Sequence, residues 1–433
     1  MLRAVGRALL RRREEIIRLA SDETGLTPEE LDPEFSRARR TLDLFAQTIE
    51  SPAWQRAWHR PPEAEPAAAI GPNHDLRVML APLRGVVIVF GASNFPLAYG
   101  VCGGDTASAL AAGCPVVVKE HPAHRATGRL LALIAREAIE GSGICPDALV
   151  LAEDDESDTP GVARRLIEHP AAAAVGFTGS GAVGASLCAV ASRRGRPIPV
   201  FAEMGSVNPT LIFPGALAAR REAILDAIAA SMAQRYGQQC TCPGLILLPG
   251  VREGRDIARK LSERLSRVPI RRMLSRSVAV NYDRAVARVR GAAGVTVVEP
   301  WRGLGAPVVL HASAPDAAAQ RDVVLETEMF GPGAVVIDDP LATLLDLPLP
   351  GSLTLSLWCE PEEVPSVRAW LERETCEAGR VVFNGVPTGV RVDEAMVHSG
   401  GWPASSRPDT TAVGPRAIER WCRPLCVQNA PSV

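Results

Sequence analysis

Apolar residues in the first fifty positions recur at helical spacing, in RREEIIRLASDETG and again in EFSRARRTLDLFAQTIE, which predicts two amphipathic helices with Arg-rich solvated faces. Prolines and alanines dominate from Ser51 to Asn73, so this stretch reads as an irregular arm over the surface. A β/α rhythm then sets in. RGVVIVFGA predicts a buried strand, DTASALAAG a helix stopped by glycine, and CPVVVKE the next strand. The unit repeats through the helix RATGRLLALIAREAI, the strand DALVLAE, the helix PGVARRLIEHP, the strand AAVGFTG, the helix GAVGASLCAVAS and the strand IPVFAEMG. Strands apolar on both faces and separated by helices belong in a parallel sheet covered on both sides. A second α/β region follows, with strands expected at LILLP, VTVVEP, AVVIDD, LTLSLWC and RVVFNG, and the end of the chain from about Arg407 reads as an arm.

A chain of 433 residues is too long for one ordinary core and fits two packed domains. Its 47 Lys and Arg against 49 Asp and Glu leave no strong field, which argues against nucleic acid or an anionic membrane as a partner. Ten scattered cysteines do not make a secreted disulfide scaffold; Cys240 and Cys242 form the one close pair, and no second pair follows at zinc-site spacing. A reducing, cytoplasmic compartment and no metal are therefore expected. No run of about 18 apolar residues exists to span a bilayer, and nothing like a cleavable leader follows the first residues.

The segment AVGFTGSGAVG puts a glycine-rich turn between a strand and a helix, with Gly179, Gly181 and Gly184 at dinucleotide-fingerprint spacing. The free N–H groups and dipole of that helix N-terminus favour a phosphate, although an ordinary tight turn would carry the same pattern. Glu203 ends a strand 19 residues after Gly184, where the fingerprint would want a ribose-binding acid.

Six segments in order, GASNFPLA, PVVVKEHP, GFTGSGAVG, FAEMGSVNP, YGQQCT and ETEMFGP, resemble the aldehyde dehydrogenase superfamily from about residue 10 to 428. FAEMGSVNP, NGVPTGVRV and AMVHSGGWPASS come nearest to its α-ketoglutaric semialdehyde dehydrogenase branch. The resemblance implies Cys240 as the nucleophile, a role suited to a thiolate. It gives the Asn94 side chain, with the Cys240 backbone N–H, the oxyanion that forms on attack. Glu203 it makes the base that activates water, which conflicts with the ribose-binding reading and is preferred because strand and spacing both fit. Lys119 is expected on the adenosine ribose or its phosphate, Gly179, Ser180 and Gly184 at the phosphate turn, Glu328 on the nicotinamide ribose and Phe330 beside the ring. Packing or local hydrogen bonding is the alternative at each position, above all for Cys242, and for Asn94 as a turn residue before Phe95-Pro96.

The fold implied is α/β: a Rossmann-like parallel-sheet cofactor domain (1–62 and 85–205), an α/β catalytic domain (206–406) and a small oligomerisation arm (63–84 and 407–433), assembled as a homodimer or homotetramer. The reaction implied is oxidation of an aldehyde to its acid with NAD or NADP. Pro122 stands where many NAD-preferring relatives carry a glutamate, which tilts the expectation to NADP, with His121, His124 and Arg125 nearby. A semialdehyde with a distal carboxylate would need a cation at the entrance, for which Arg235 and Arg391 are candidates. The chain begins later than is usual in the family, and the stretch from Cys240 to Glu328 is slightly short. Two other readings stand beside this one: a reductase that runs from an acyl thioester toward the aldehyde, and a binding protein that kept the fold without catalysis.

Overall fold

The computed structural model describes residues 1–64, 71–155, 157–250, 254–372 and 377–431. Three helices, not two, open the chain: Leu2–Arg11, Arg13–Thr24 and Pro28–Thr48. The first two divide at Arg12, whose backbone leaves the helical region, and the second stops at Gly25 in the left-handed conformation. Thr27 and Glu30 then cap the third reciprocally, each side chain accepting from the other's backbone N–H. Its apolar face, with Leu31, Phe35, Leu42 and Phe45, is buried in the core of the first half.

Strand β1 (Trp58–Arg60) lies in the segment read as irregular; β2 (Leu76–Pro82), just past it, pairs along its length with the tail strand far down the chain. Next come β3 (Val86–Phe90), β4 (Val116–Lys119), β5 (Leu149–Ala152), β6 (Ala172–Thr178) and β7 (Val200–Glu203). These five form one parallel sheet in the order β5-β4-β3-β6-β7. The order reverses at β3, so the crevice beyond the carboxyl ends of β3 and β6 is where such sheets take ligands. Asn94 follows β3 and Gly179 follows β6, while Lys119 and Glu203 end the neighbouring β4 and β7 on the same side of the sheet.

The second half contributes β8 (Thr210–Ile212), β9 (Leu245–Pro249), β10 (Thr296–Val298), β11 (Val308–Ser313), β12 (Gly333–Asp339), β13 (Ser352–Trp358) and β14 (Ala378–Phe383). They make a seven-stranded sheet, β10-β11-β12-β9-β8-β13-β14, parallel except for β10. β9 and β13 are buried throughout, as strands covered by helices on both faces must be. The tail departs most from the sequence reading. β15 (Cys422–Gln428) is a strand on β2, but Arg420 and Trp421 just before it are fully buried in the first half. Trp421 stacks edge-on against Phe201 of β7 and donates to Ser108, so this part of the tail is core.

Candidate active site

One cavity of about 940 Å³ runs from Cys240 along the ends of the first sheet to Lys119. Cys240, Asn94, Glu203, Lys119, Gly179, Ser180, Glu328 and Phe330 all line it. Gly184 does not. A Cβ there would meet Met204 Sδ at 2.6 Å and the Phe177 ring at 3.1 Å, so this glycine lets the helix close onto the strands behind the cavity.

The cysteine is presented by a strained loop. Arg235, Tyr236 and Gly237 all have positive φ (47°, 56° and 70°), and a Cβ on Gly237 would come within 2.2 Å of the Gly331 carbonyl carbon. Such backbone is held only where its surroundings over-determine it. The buried Asn208 amide donates to the Cys240 carbonyl at 2.7 Å and to the Cys242 carbonyl at 3.0 Å. Asn94 Nδ2 donates to the Gln238 carbonyl at 3.0 Å, and Gln238 itself bonds the Arg235 carbonyl and the Leu274 N–H. Arg235 is anchored on Glu34 at 2.8 Å and on the Glu30 and Asn94 carbonyls, with its guanidinium 4.1 Å from the Phe95 ring centre. It ties the cysteine loop to the Asn94 loop and is not free to meet a substrate.

Sγ of Cys240 lies 3.7 Å from His398 Nε2, a contact the sequence reading did not include. Burial, with the charges of Glu328 and Glu203 behind it, pushes the Cys240 thiol up to about 12, so it rests protonated at neutral pH. Burial drops His398 to about 3, which leaves its imidazole neutral. His398 sits in AMVHSGGWP, a segment noticed only for its likeness to the branch; its proximity to the sulfur depends on long-range folding.

Glu203 is buried, and Oε1 accepts from Arg420 Nη2 at 3.2 Å while Oε2 has no hydrogen-bond partner. Arg420 reaches Asp105 at 2.9 Å with its other terminal nitrogen, and stacks near Phe201 and Trp421. Burial raises Glu203 to about 8; Arg420 opposes the rise and Asp105 adds to it. The unpaired Oε2 fits a carboxylate that takes up a proton from water. Arg420 and Asp105 were missed because one lay in the presumed arm and the other in a helix that read as plain packing.

At the far end, Lys119 Nζ is 2.5 Å from Asp154, which also takes Arg125 at 3.0 Å. The turn between them and Glu203 begins the Gly181–Ser192 helix, which has neither a side-chain cap nor an acid in its first turn. Its N–H donors are therefore open to a phosphate, and Pro160, Ala163 and Val183 supply apolar walls beside them. Glu328 accepts from the Ser206 N–H at 3.2 Å, and burial raises it to about 7. It lies so close over Gly205 that a Cβ there would meet Oε2 at 2.1 Å. Phe330 follows in a left-handed conformation, φ 41°. These residues fit a nicotinamide dinucleotide laid along the cavity. Among the described residues no cluster of three or more His, Cys, Asp or Glu side chains is arranged for a metal, and no helix is long and apolar enough to cross a membrane.

An open parallel sheet with a phosphate-ready turn, joined across one cavity to a cysteine, an amide and a buried carboxylate, defines an oxidoreductase of the cysteine-dependent α/β type. The sequence model of the aldehyde dehydrogenase family matches residues 1–294, and the chain belongs to that family. It is an enzyme that oxidises aldehydes with NAD or NADP. Among curated relatives it is 38% identical over 442 residues to α-ketoglutaric semialdehyde dehydrogenase 2 of Azospirillum brasilense, covering 99% of this chain and 82% of that one. It is likewise 38% identical to α-ketoglutaric semialdehyde dehydrogenase of Acinetobacter baylyi, covering 96% and 79%. Among solved structures, a salicylaldehyde dehydrogenase from Pseudomonas putida G7 superposes with a TM-score of 0.81 at 17% identity, over 99% of this chain and 84% of that one.

Proposed function

We propose that the enzyme oxidises a semialdehyde bearing a distal carboxylate, of the α-ketoglutaric semialdehyde class, with Cys240 as nucleophile, Asn94 as oxyanion donor and Glu203 as hydrolytic base. Identity of 38% over nearly the whole chain to two enzymes of that name supports the substrate class. The observation that carries the chemistry is the meeting of those three side chains on one cavity with the phosphate-ready turn.

Cys240 sulfur adds to the aldehyde carbon. Because the thiol sits near 12, its proton leaves to solvent through the cavity as the carbon–sulfur bond forms; His398 Nε2, 3.7 Å from the sulfur but held near 3, is too weak a base to keep it. The second N–H of the Asn94 amide, whose first is spent on the Gln238 carbonyl, and the Cys240 N–H meet the developing oxyanion. When bound, the oxidised nicotinamide brings a positive charge and accepts the hydride. Gly179 and Ser180 hold its phosphates, Lys119 the adenosine end and Glu328 the nicotinamide ribose. Glu203 then takes a proton from the water that attacks the Cys240 thioester, which releases the acid.

NADP is the preferred cofactor in this reading. Pro122 stands where a carboxylate repelling a 2'-phosphate would otherwise sit, and Lys119, paired with Asp154, lines that end of the cavity. The 1–62 and 85–205, 206–406, and 63–84 with 407–433 segments act as cofactor, catalytic and oligomerisation units. The last, apart from the core residues Arg420 and Trp421, pairs two copies by setting its edge strand β15 against β14 of the second copy, an edge strand on which Val381 and Phe383 are exposed. Free thiols at all nine described cysteines suit a cytoplasmic setting.

The test is a panel of carboxylated and uncharged aldehydes with each cofactor, run on wild type and Glu203→Gln. Wild type should favour the carboxylated aldehydes, and the variant should give one burst of NAD(P)H per site and then stall. Reduction of acyl thioesters that survives Glu203→Gln, without aldehyde oxidation in wild type, would instead establish the reductive direction.

A further inference from the structure

Neither Arg37 nor Arg380 has a carboxylate partner among the described residues, and Arg37 sits behind the cavity wall on Tyr99. Arg37, on the Pro28–Thr48 helix, donates from Nη2 to the Tyr99 hydroxyl at 3.0 Å and from Nη1 to the Val390 carbonyl at 3.2 Å. Tyr99 lines the same cavity as Cys240 and His398. Arg380, on β14, donates from Nη2 to Thr354 Oγ1 at 3.1 Å and to the Pro387 carbonyl. Both are partly buried. The neighbouring buried guanidiniums differ: Arg235 is neutralised by Glu34, and Arg420 by Asp105 and Glu203. Two half-buried cations satisfied only by neutral oxygens carry a desolvation cost that an anion would offset. Their reach toward the reacting sulfur is shared: Arg37 lowers the pKa of both Cys240 and His398, and Arg380 responds to Cys240. Arg391, in contrast, is 81% exposed and paired with Asp393.

We infer that Arg37, assisted by Arg380, is the specificity residue that binds the distal carboxylate of the substrate while its aldehyde carbon lies on Cys240. This rests on the carboxylated-semialdehyde reading and adds the residues that enforce it. A guanidinium holding one donor on Tyr99 and one on a carbonyl keeps further N–H groups for a carboxylate. Recognition of this kind acts through substrate affinity and leaves the chemistry at the other end of the substrate intact.

The experiment compares kcat/KM for 5-oxopentanoate and for pentanal, which differ in the terminal carboxylate, in wild type, Arg37→Gln, Arg37→Lys and Arg380→Gln. Wild type should prefer 5-oxopentanoate. Arg37→Gln should cut that preference on the order of 100-fold, chiefly through KM, with pentanal within about 3-fold of wild type; Arg37→Lys should recover part and Arg380→Gln should lose about 10-fold. Equal falls for both aldehydes, or an unchanged preference in Arg37→Gln, would overturn the assignment while leaving the substrate reading standing. Absence of any preference in wild type would sink the substrate reading itself. A measurement independent of folding variants uses wild type alone: glutarate should protect Cys240 from iodoacetamide and neutral pentanamide should not. Equal protection by both, or by neither at millimolar concentration, counts against the inference.

Discussion

Replacing Arg420 with methionine tests whether the tail tunes the hydrolytic base. The guanidinium is buried, 2.9 Å from Asp105 and 3.2 Å from Glu203, and packed near two aromatic rings. Removing one partner from a buried ionic cluster costs roughly 3–5 kcal/mol, because two carboxylates are left without a counter-charge. They respond by holding protons. Glu203 already sits near 8 with Arg420 pulling it down, so the variant's value moves higher. Each unit of rise leaves about tenfold less of the basic form at neutral pH. Stopped-flow measurement should show the NAD(P)H burst retained and the following steady rate at pH 7 about tenfold lower, with recovery only at more alkaline pH than wild type needs. Stability has the opposite pH sense. A carboxyl whose folded pKa exceeds its unfolded value binds more protons when folded, so both proteins lose stability as pH climbs from about 4.5; the wild-type loss ends as Glu203 ionises near 8, and above that pH the variant's melting temperature should fall further behind wild type. Superimposable pH–rate profiles for the two proteins would refute the coupling between Arg420 and Glu203.

Asn208→Leu strips the Cys240 and Cys242 carbonyls of their shared donor, and with two buried acceptors left open the fold should lose about 2–5 kcal/mol in denaturant titration; a loss under 1 kcal/mol would mean the loop is held by other contacts. Gly205→Ala puts a methyl where Glu328 Oε2 now lies, 2.1 Å from the ideal Cβ, so KM for the dinucleotide should rise roughly tenfold while the burst amplitude at saturating cofactor stays intact; an unchanged KM would separate Glu328 from cofactor binding. Phe383→Asp places a charge on the exposed edge of β14 and should shift the assembly toward monomer in light scattering, whereas an unchanged mass would remove that edge from the subunit contact.

Local pattern carried the parallel sheet well. The runs VVIVF, VVVK and LILLP lie in strands because continuous apolar sequence between helices has few other solutions, and Phe90 and Lys119, which end the first two, line the cavity. What the sequence hid was pairing between distant segments. Composition near Arg420 resembled that of a surface arm, since an arginine beside prolines is usually solvated; only the fold brings it to Asp105, 315 positions away. Arg235 stood as a candidate substrate cation because the sequence does not show its partner, and the Glu34 carboxylate on another helix takes that charge away.

The same comparison separates two kinds of charge around the nucleophile. Arg235 and Arg420 are neutralised by carboxylates of the chain itself, and each ties a strained or buried element to its neighbour, so their substitution should register first in folding and in pH dependence. Arg37 and Arg380 are satisfied by neutral oxygens and keep net positive charge beside a thiol that burial and two carboxylates make hard to ionise. On the proposed reading an anionic substrate is the partner such an arrangement lacks, because a carboxylate taken by Arg37 would offset the electrostatic cost of burying that guanidinium. The protonated resting state of Cys240 comes from burial, against which Arg37 acts, so Arg37→Gln should move the thiol further up as well as weaken the proposed grip on a distal carboxylate.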